Sequence, residues 1–249
     1  MELVPEIENM QAEFASWRRD IHAHPELGFE ERRTADFVAA KLESFGVQVH
    51  RGIGKTGIVG VLREGNETRS IGLRADMDAL PIHEQNTFAH RSTHQGTMHA
   101  CGHDGHTVML LAAAKYLADT RKFRGQVNFI FQPAEEGLGG ARAMIEDGLF
   151  EEFPCDRIYA MHNGPGLPVG KFAAVPGVRT AAGAFFDIDI QGQGRSWGLS
   201  TPGHRSDSHS RSASQRTANR CLTLHLAQRQ RGVFHYQNTC RRRVQRHTR

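Results

Sequence analysis

Four short stretches concentrate the side chains that could do chemistry. Arg74-Ala75-Asp76-Met77-Asp78 places two carboxylates two residues apart, and Cys101-Gly102-His103-Asp104-Gly105-His106 interleaves a thiol, imidazoles and a carboxylate with glycine. Gln132-Pro133-Ala134-Glu135-Glu136-Gly137 carries adjacent glutamates, and Met161-His162-Asn163 adds a further imidazole. Thiolate, imidazole and carboxylate together form a donor set for divalent metal ions. Taken alone, each stretch has an ordinary explanation. A Cys two residues from a His is more often a partly buried thiol beside a surface imidazole, adjacent glutamates usually mark a solvated turn, and a lone His at a strand end is usually just hydrogen-bonded. After a β-run and a proline, however, two glutamates can divide the work, one binding metal while the other carries a proton. His22 and His24 precede Pro25 at an expected helix end, have no acidic partner at a ligand spacing, and read as capping or packing residues. Gly52-Ile53-Gly54-Lys55-Thr56-Gly57 lacks the spacing of a phosphate-binding loop and reads as a turn between strands.

The elements that must position these groups alternate. Ile7, Met10, Phe14, Trp17 and Ile21 share one helical face over 7–22, and a second helix is expected over 31–45, before Gly46. β-rich segments fall at 47–49, 57–62, 70–74, 126–131, 157–161 and 185–190, with helices expected over 104–118 and 140–147. This order predicts an α/β domain with a mainly parallel sheet. The reactive clusters stand where strands should stop, and in open α/β sheets the carboxyl ends of the strands are where ligands collect.

The chain has 249 residues, enough for one large or two modest domains. With 39% hydrophobic residues and no apolar run long enough to span a bilayer, a membrane protein is not expected. The acidic amino terminus lacks the order of a secretory signal, and four cysteines are too few for a disulfide scaffold, so a reducing cytoplasmic setting is expected. The net charge of +4 is misleading. Residues 195–249 hold 12 of the 31 Lys and Arg, all arginine, and one of the 27 acids, Asp207, a formal +11. The first 194 residues keep 19 basic and 26 acidic residues, a formal −7. The tail also has no Glu, Ile or Met, and sustains neither a helical nor a strand period through most of its length. A basic arm for nucleic acid, an ordinary disordered tail and an out-of-frame translation all fit that composition.

Over residues 17–194 the sequence resembles the M20 metallopeptidase superfamily, in the amidohydrolase branch of hippurate hydrolases, N-acyl-amino-acid amidohydrolases and plant auxin-conjugate hydrolases. The resemblance rests on ordered motifs: the stretch from Arg19 to Leu27, the stretch from Arg74 to Pro81, Met98-His99-Ala100-Cys101-Gly102-His103-Asp104-Gly105-His106, Phe131-Gln132-Pro133-Ala134-Glu135-Glu136, and Met161-His162. It implies two divalent metal ions (zinc, manganese, cobalt or nickel) held by Cys101, His103, Glu136 and His162, with Glu135 as general base and Asp78 orienting a ligand from behind. The implied reaction is hydrolysis of an N-acyl amino acid by metal-activated water. It also implies an incomplete catalytic domain over 1–184, and over 185–194 the first strand of a lid domain through which family members homodimerise.

The likeness ends at Gly194, where the family continues with Ala-His-Gly and this chain has Arg195-Ser196-Trp197-Gly198. Back-translated with permitted codons and read one base later, the eight residues from Arg195 become Ala-His-Gly-Ala-Ser-Ala-Pro, and the family-like stretches IDPI and HAGDAYNVIP follow in order. Residues 195–249 are therefore expected to be an out-of-frame, disordered basic tail with no evolved nucleic-acid partner. Without most of the lid and the last metal ligand, the chain is expected to be inactive. A metal-binding fragment without catalysis, or a nucleic-acid-binding tail, are the alternatives.

Overall fold

The computed structural model describes residues 4–177. The strand expected over 185–190 and the tail from 195 onward lie outside them. The chain divides into two units, Met1–Lys171 and Phe172–Arg249, and all the named elements belong to the first. The described residues of the second, 172–177, are exposed and outside any helix or strand.

The amino-terminal helical stretch is split in two. Pro5 opens α1 (Pro5–Glu8), and the chain leaves the helix at Asn9 and Met10 before α2 (Gln11–Ala23) begins. Asparagine competes with the helix by bonding to its own backbone, which gives the break a local cause. On α2 the expected face is the packed one, with Phe14, Trp17 and Ile21 buried. α3 (Arg32–Ser44) buries Thr34, Ala35, Val38, Ala39 and Leu42. It stops because Gly46 adopts φ +75° and donates to the Glu43 carbonyl while Val47 donates to Leu42, a Schellman close that favours glycine at this position.

β1 (Gln48–Ile53) and β2 (Gly57–Glu64) form a hairpin around Gly54, Lys55 and Thr56, so the glycine-rich segment is the expected turn. β3 (Ser70–Asp76), α4 (His103–Thr120), β4 (Gly125–Gln132), α5 (Gly140–Glu146), α6 (Leu149–Glu152) and β5 (Arg157–Ala160) follow. The sheet order is β1-β2-β4-β3-β5. It is mixed: β3 pairs in parallel with β4 and β5, while β1–β2 and β2–β4 are antiparallel. The mainly parallel expectation holds for the three strands that carry the reactive clusters. It does not hold for β1 and β2, whose three-residue link is too short for anything but a hairpin.

Alternation along β4 serves both faces of the sheet. Val127, Phe129 and Phe131 enter the larger core with Leu111 of α4, Leu42 of α3 and Ile21 of α2. Ile130 instead joins Val59, Met144, Leu149 and Phe153 beneath α5 and α6. In the β3–β4 register Asp76 stands opposite Gln132, so the loops that leave these two strands start side by side.

A buried polar knot ties α2 and α4 to the 81–97 loop. Against the capping expectation, His22 is buried and has two acidic partners distant in sequence: Nδ1 donates to Asp104 at 3.0 Å and Nε2 to Glu84 at 3.2 Å. The Asp104 bond, reinforced by Glu84 against the opposing effect of burial, raises the His22 pKa. His24 stays local, its Nδ1 on the Asp20 carbonyl at 2.8 Å. Since removing one member of a buried charged pair strands the other, His22→Ala should lower stability by roughly 3 kcal/mol. With the folded pKa above the ordinary 6.5, this contribution is full below that pH and fades as pH rises through the raised value. Urea unfolding at mildly acidic and alkaline pH checks this: the gap between wild type and variant should narrow at alkaline pH.

Candidate metal centre

His103 is the first residue of α4, and its side chain is fully buried. Nδ1 donates to the Asp78 carbonyl at 2.8 Å and lies 3.3 Å from its carboxylate, which leaves Nε2 as the nitrogen that can turn to a cation. Nε2 has no hydrogen-bond partner, although it is buried. It faces Asp76 Oδ2 at 3.7 Å, Glu136 Oε1 at 3.9 Å and Glu135 Oε2 at 4.0 Å. An imidazole fixed through one nitrogen, with the other aimed unpartnered at carboxylates, is the arrangement a cation would complete.

Cys101 Sγ and His162 Nε2 approach to 3.4 Å on the open side of the site. Two donor sets meet at His103, one with Cys101 and His162 and one with Glu135 and Glu136, the donor atoms of each lying within 4.8 Å of one another. The structure thus brings together all five residues singled out for ligation and catalysis. Asp78 reaches both halves: beyond its contact with His103, its Oδ2 accepts the backbone N–H of Glu136 at 2.9 Å. Asp76 and His106 also come close to His103, but these two are already engaged. His106 Nδ1 donates to Asp76 Oδ1 at 2.6 Å, and Arg74 donates to Asp76 Oδ2 at 2.7 Å.

The sequence reading missed the supports of this site. Asp76, Arg74, His106 and Asn163 lie inside or beside the motifs, yet spacing gives no sign of their mutual bonds. Glu31 is further away still. It is fully buried at the start of α3, accepts the Thr56 hydroxyl at 2.5 Å, and accepts the backbone N–H of Ala134 at 2.8 Å. Ala134 has φ +49°, so Glu31 pins a left-handed residue immediately before Glu135. An acidic residue opening a helix looks like a helix cap, which concealed this role.

The electrostatics are those of a crowded buried site. Burial works against protonation of His103, but the bond to Asp78, the adjacent Cys101 and the charges of Asp76 and Asp78 raise its pKa to about 11. For Asp76, burial is outweighed by the His106 bond and the charges of His103 and Arg74, and its pKa falls to about 2. Asp78 is lowered despite burial, through the His103 bond and the backbone N–H groups of Glu136 and Glu135. Glu135 moves the other way, raised by burial and then by the charge of Glu136.

Among the described residues no helix is long and apolar enough to cross a membrane. The chain is 53% identical over 194 residues to hippurate hydrolase from Campylobacter jejuni, a match covering 78% of this chain and 50% of that protein. It is 43% identical over 191 residues to N-acyl-L-amino acid amidohydrolase from Geobacillus stearothermophilus, covering 76% and 51%. It spans about half the length of these curated relatives. The crystal structure of a dinuclear metal-binding peptidase of the M20 family from Bacillus subtilis superposes with a TM-score of 0.62 at 40% identity, over 66% of this chain and 46% of that one. Residues 72–240 match the sequence pattern of Peptidase family M20/M25/M40, a stretch that crosses Gly194. With more than half of its length in that pattern and the same α/β scaffold beneath its metal-type donors, the chain belongs to Peptidase family M20/M25/M40.

Proposed function

We propose that the cluster centred on His103 holds two divalent metal ions and is the catalytic centre of an amidohydrolase acting on N-acyl amino acids. The buried, unpartnered Nε2 of His103, facing Glu135 and Glu136 beside the Cys101–His162 pair, carries this reading. The two donor sets meet at His103, whose one free nitrogen would serve a single ion, while Cys101, His162 and Glu136 supply the other donors. When bound, the ions supply Lewis acidity toward the amide carbonyl and make water acidic enough to be deprotonated near neutral pH. Glu135 takes that proton on its carboxylate and returns it to the departing amine. In the metal-free site, burial and the charge of Glu136 dispose it to hold a proton. Asp78 fixes the His103 tautomer through Nδ1 and holds the Glu136 backbone. The names of the two relatives, hippurate hydrolase and N-acyl-L-amino acid amidohydrolase, support a small N-acyl amino acid as substrate. A ligating thiolate needs a reducing compartment, and Cys101 and Cys155 are both free, which supports the cytoplasm.

We further propose that residues 195–249 are read out of frame, so that this chain takes up metal but does not turn over. The acid-poor, arginine-only composition and the Ala-His-Gly recovered one base later support this, while the family match reaching residue 240 makes the gene sequence decisive. Sequencing across codon 194 should reveal one extra base or two missing bases. The gene with its frame restored should hydrolyse N-benzoylglycine in the presence of manganese, and the present chain should not. Equal turnover by both would remove the frame proposal, and no metal uptake by either would remove the site.

A further inference from the structure

We infer that His106 and Asn163 form a positioning bridge that sets His162 against Cys101, neither of the two being a metal ligand itself. The inference rests on the metal reading proposed above. His162 follows the end of β5 in a stretch whose side chains are exposed from 157 to 171, so no apolar packing explains why its ring stands at Cys101. Its position comes from the next residue. The backbone N–H of Asn163 donates to His106 Nε2 at 3.1 Å, which sets the Asn163 side chain against the same ring. The His162 ring then lies edge-on to His106, with centroids 4.5 Å apart, and its Nδ1 donates to the Asn163 carbonyl at 2.8 Å, which leaves Nε2 directed at Cys101.

The other end of the bridge is rigid. His106 is buried in the first turns of α4, and its Nδ1 donates to Asp76 Oδ1 at 2.6 Å. Asp76 closes β3 and is itself gripped by Arg74 at 2.7 Å. A continuous line of bonds therefore runs from the sheet through Arg74, Asp76, His106 and Asn163 to the exposed His162. Both nitrogens of His106 are engaged along it, which is why His106 orients a ligand without being one. Gly102 makes room for the bridge. With φ +88°, a side chain there would be strained, and an added Cβ would fall 2.5 to 2.9 Å from the atoms of the Asn163 carboxamide.

The test uses the full chain with zinc and cadmium as probes. Loss of such an outer support typically costs about 10- to 100-fold in metal affinity, and that loss is expected for His106→Ala, with a smaller loss for Asn163→Ala, which keeps its backbone donor. X-ray absorption of the zinc form should show the sulfur ligand retained and one imidazole fewer in His106→Ala. The cadmium–thiolate absorption band should persist but saturate at higher metal concentration. His106→Gln, whose carboxamide can donate to Asp76 and accept from Asn163, should restore both affinity and imidazole count. If His106 is itself a ligand, the glutamine variant stays one imidazole short and the proposal fails. It also fails if His106→Ala and Asn163→Ala bind like wild type, whatever happens to their melting temperatures. Should His106→Ala not fold, Asn163→Ala and Gly102→Ala decide, because unchanged affinity in both overturns the bridge. Wild type that takes up no metal overturns the site and the bridge together, whereas normal wild-type uptake with indifferent variants overturns the bridge alone.

Discussion

Glu135→Gln leaves metal uptake intact and lowers N-benzoylglycine hydrolysis by about a thousandfold, within the range for removal of a positioned general base. The measurement is made in whichever reading frame of the gene turns over, beside metal titrations of the same variant. Distance alone does not separate the two glutamates, since their carboxylates stand 4.0 and 3.9 Å from His103 Nε2. Their surroundings do. The Glu136 backbone is pinned to Asp78, and its side chain is 26% exposed, as befits a ligand held in place. Glu135 is 42% exposed, and its pKa is raised by burial and by its neighbour, which leaves it open to water and disposed to hold a proton. Glu136→Gln should therefore lose metal first and activity as a consequence. Metal loss in Glu135→Gln together with metal retention in Glu136→Gln would exchange the two roles.

What the sequence could disclose about this site follows from which interactions leave a local trace. The alternation of Val127, Phe129 and Phe131 against Ile130 is a period of two, and it identifies β4 without reference to any other element. The clusters after 74, 132 and 160 could be located at strand ends because each strand announces its own termination. Their convergence was an inference from α/β architecture, and the pairing of Asp76 with Gln132 supplies its structural basis. The turn at 52–57 was readable from its glycines, but with the first strand placed at 47–49 the overall alternation of strands and helices masked the antiparallel pairing of β1 and β2. Hydrogen bonds between distant residues leave no such trace. His22 meets Asp104 across 82 positions and Glu31 meets Ala134 across 103, and neither pair has a periodicity or spacing that would betray it. The supports of the site were therefore hidden while its reactive groups were visible: a metal-type donor stands out by residue type, whereas a group that orients a donor is recognised only by what it touches.

Metal uptake by the metal-free chain should release protons and strengthen as pH rises, and the cause is His103. With its pKa raised to about 11, the imidazole is protonated at neutral pH in the absence of metal, held so by Asp78 and Asp76 against the cost of burial. A metal ion must displace that proton before Nε2 can bind, so below about pH 11 His103 alone should raise apparent affinity by roughly tenfold per pH unit. Cys101 must also lose its proton on ligation, which adds to the release. The stability of the metal-free fold runs in the opposite direction. Because the folded pKa lies above the ordinary 6.5, the His103 contribution is complete below that pH and disappears as pH rises toward 11. Isothermal calorimetry of zinc binding in buffers of different ionisation enthalpy measures the proton count directly. In His103→Gln the count should fall by about one, and affinity should drop by roughly a hundredfold to just under a thousandfold, the share of one ligand among four in a site of about 10–16 kcal/mol. His103 stands where both donor sets meet but has one free nitrogen, so that variant should lose the ion this nitrogen would hold. Wild-type uptake of both ions by folded His103→Gln would remove His103 from the centre of the site.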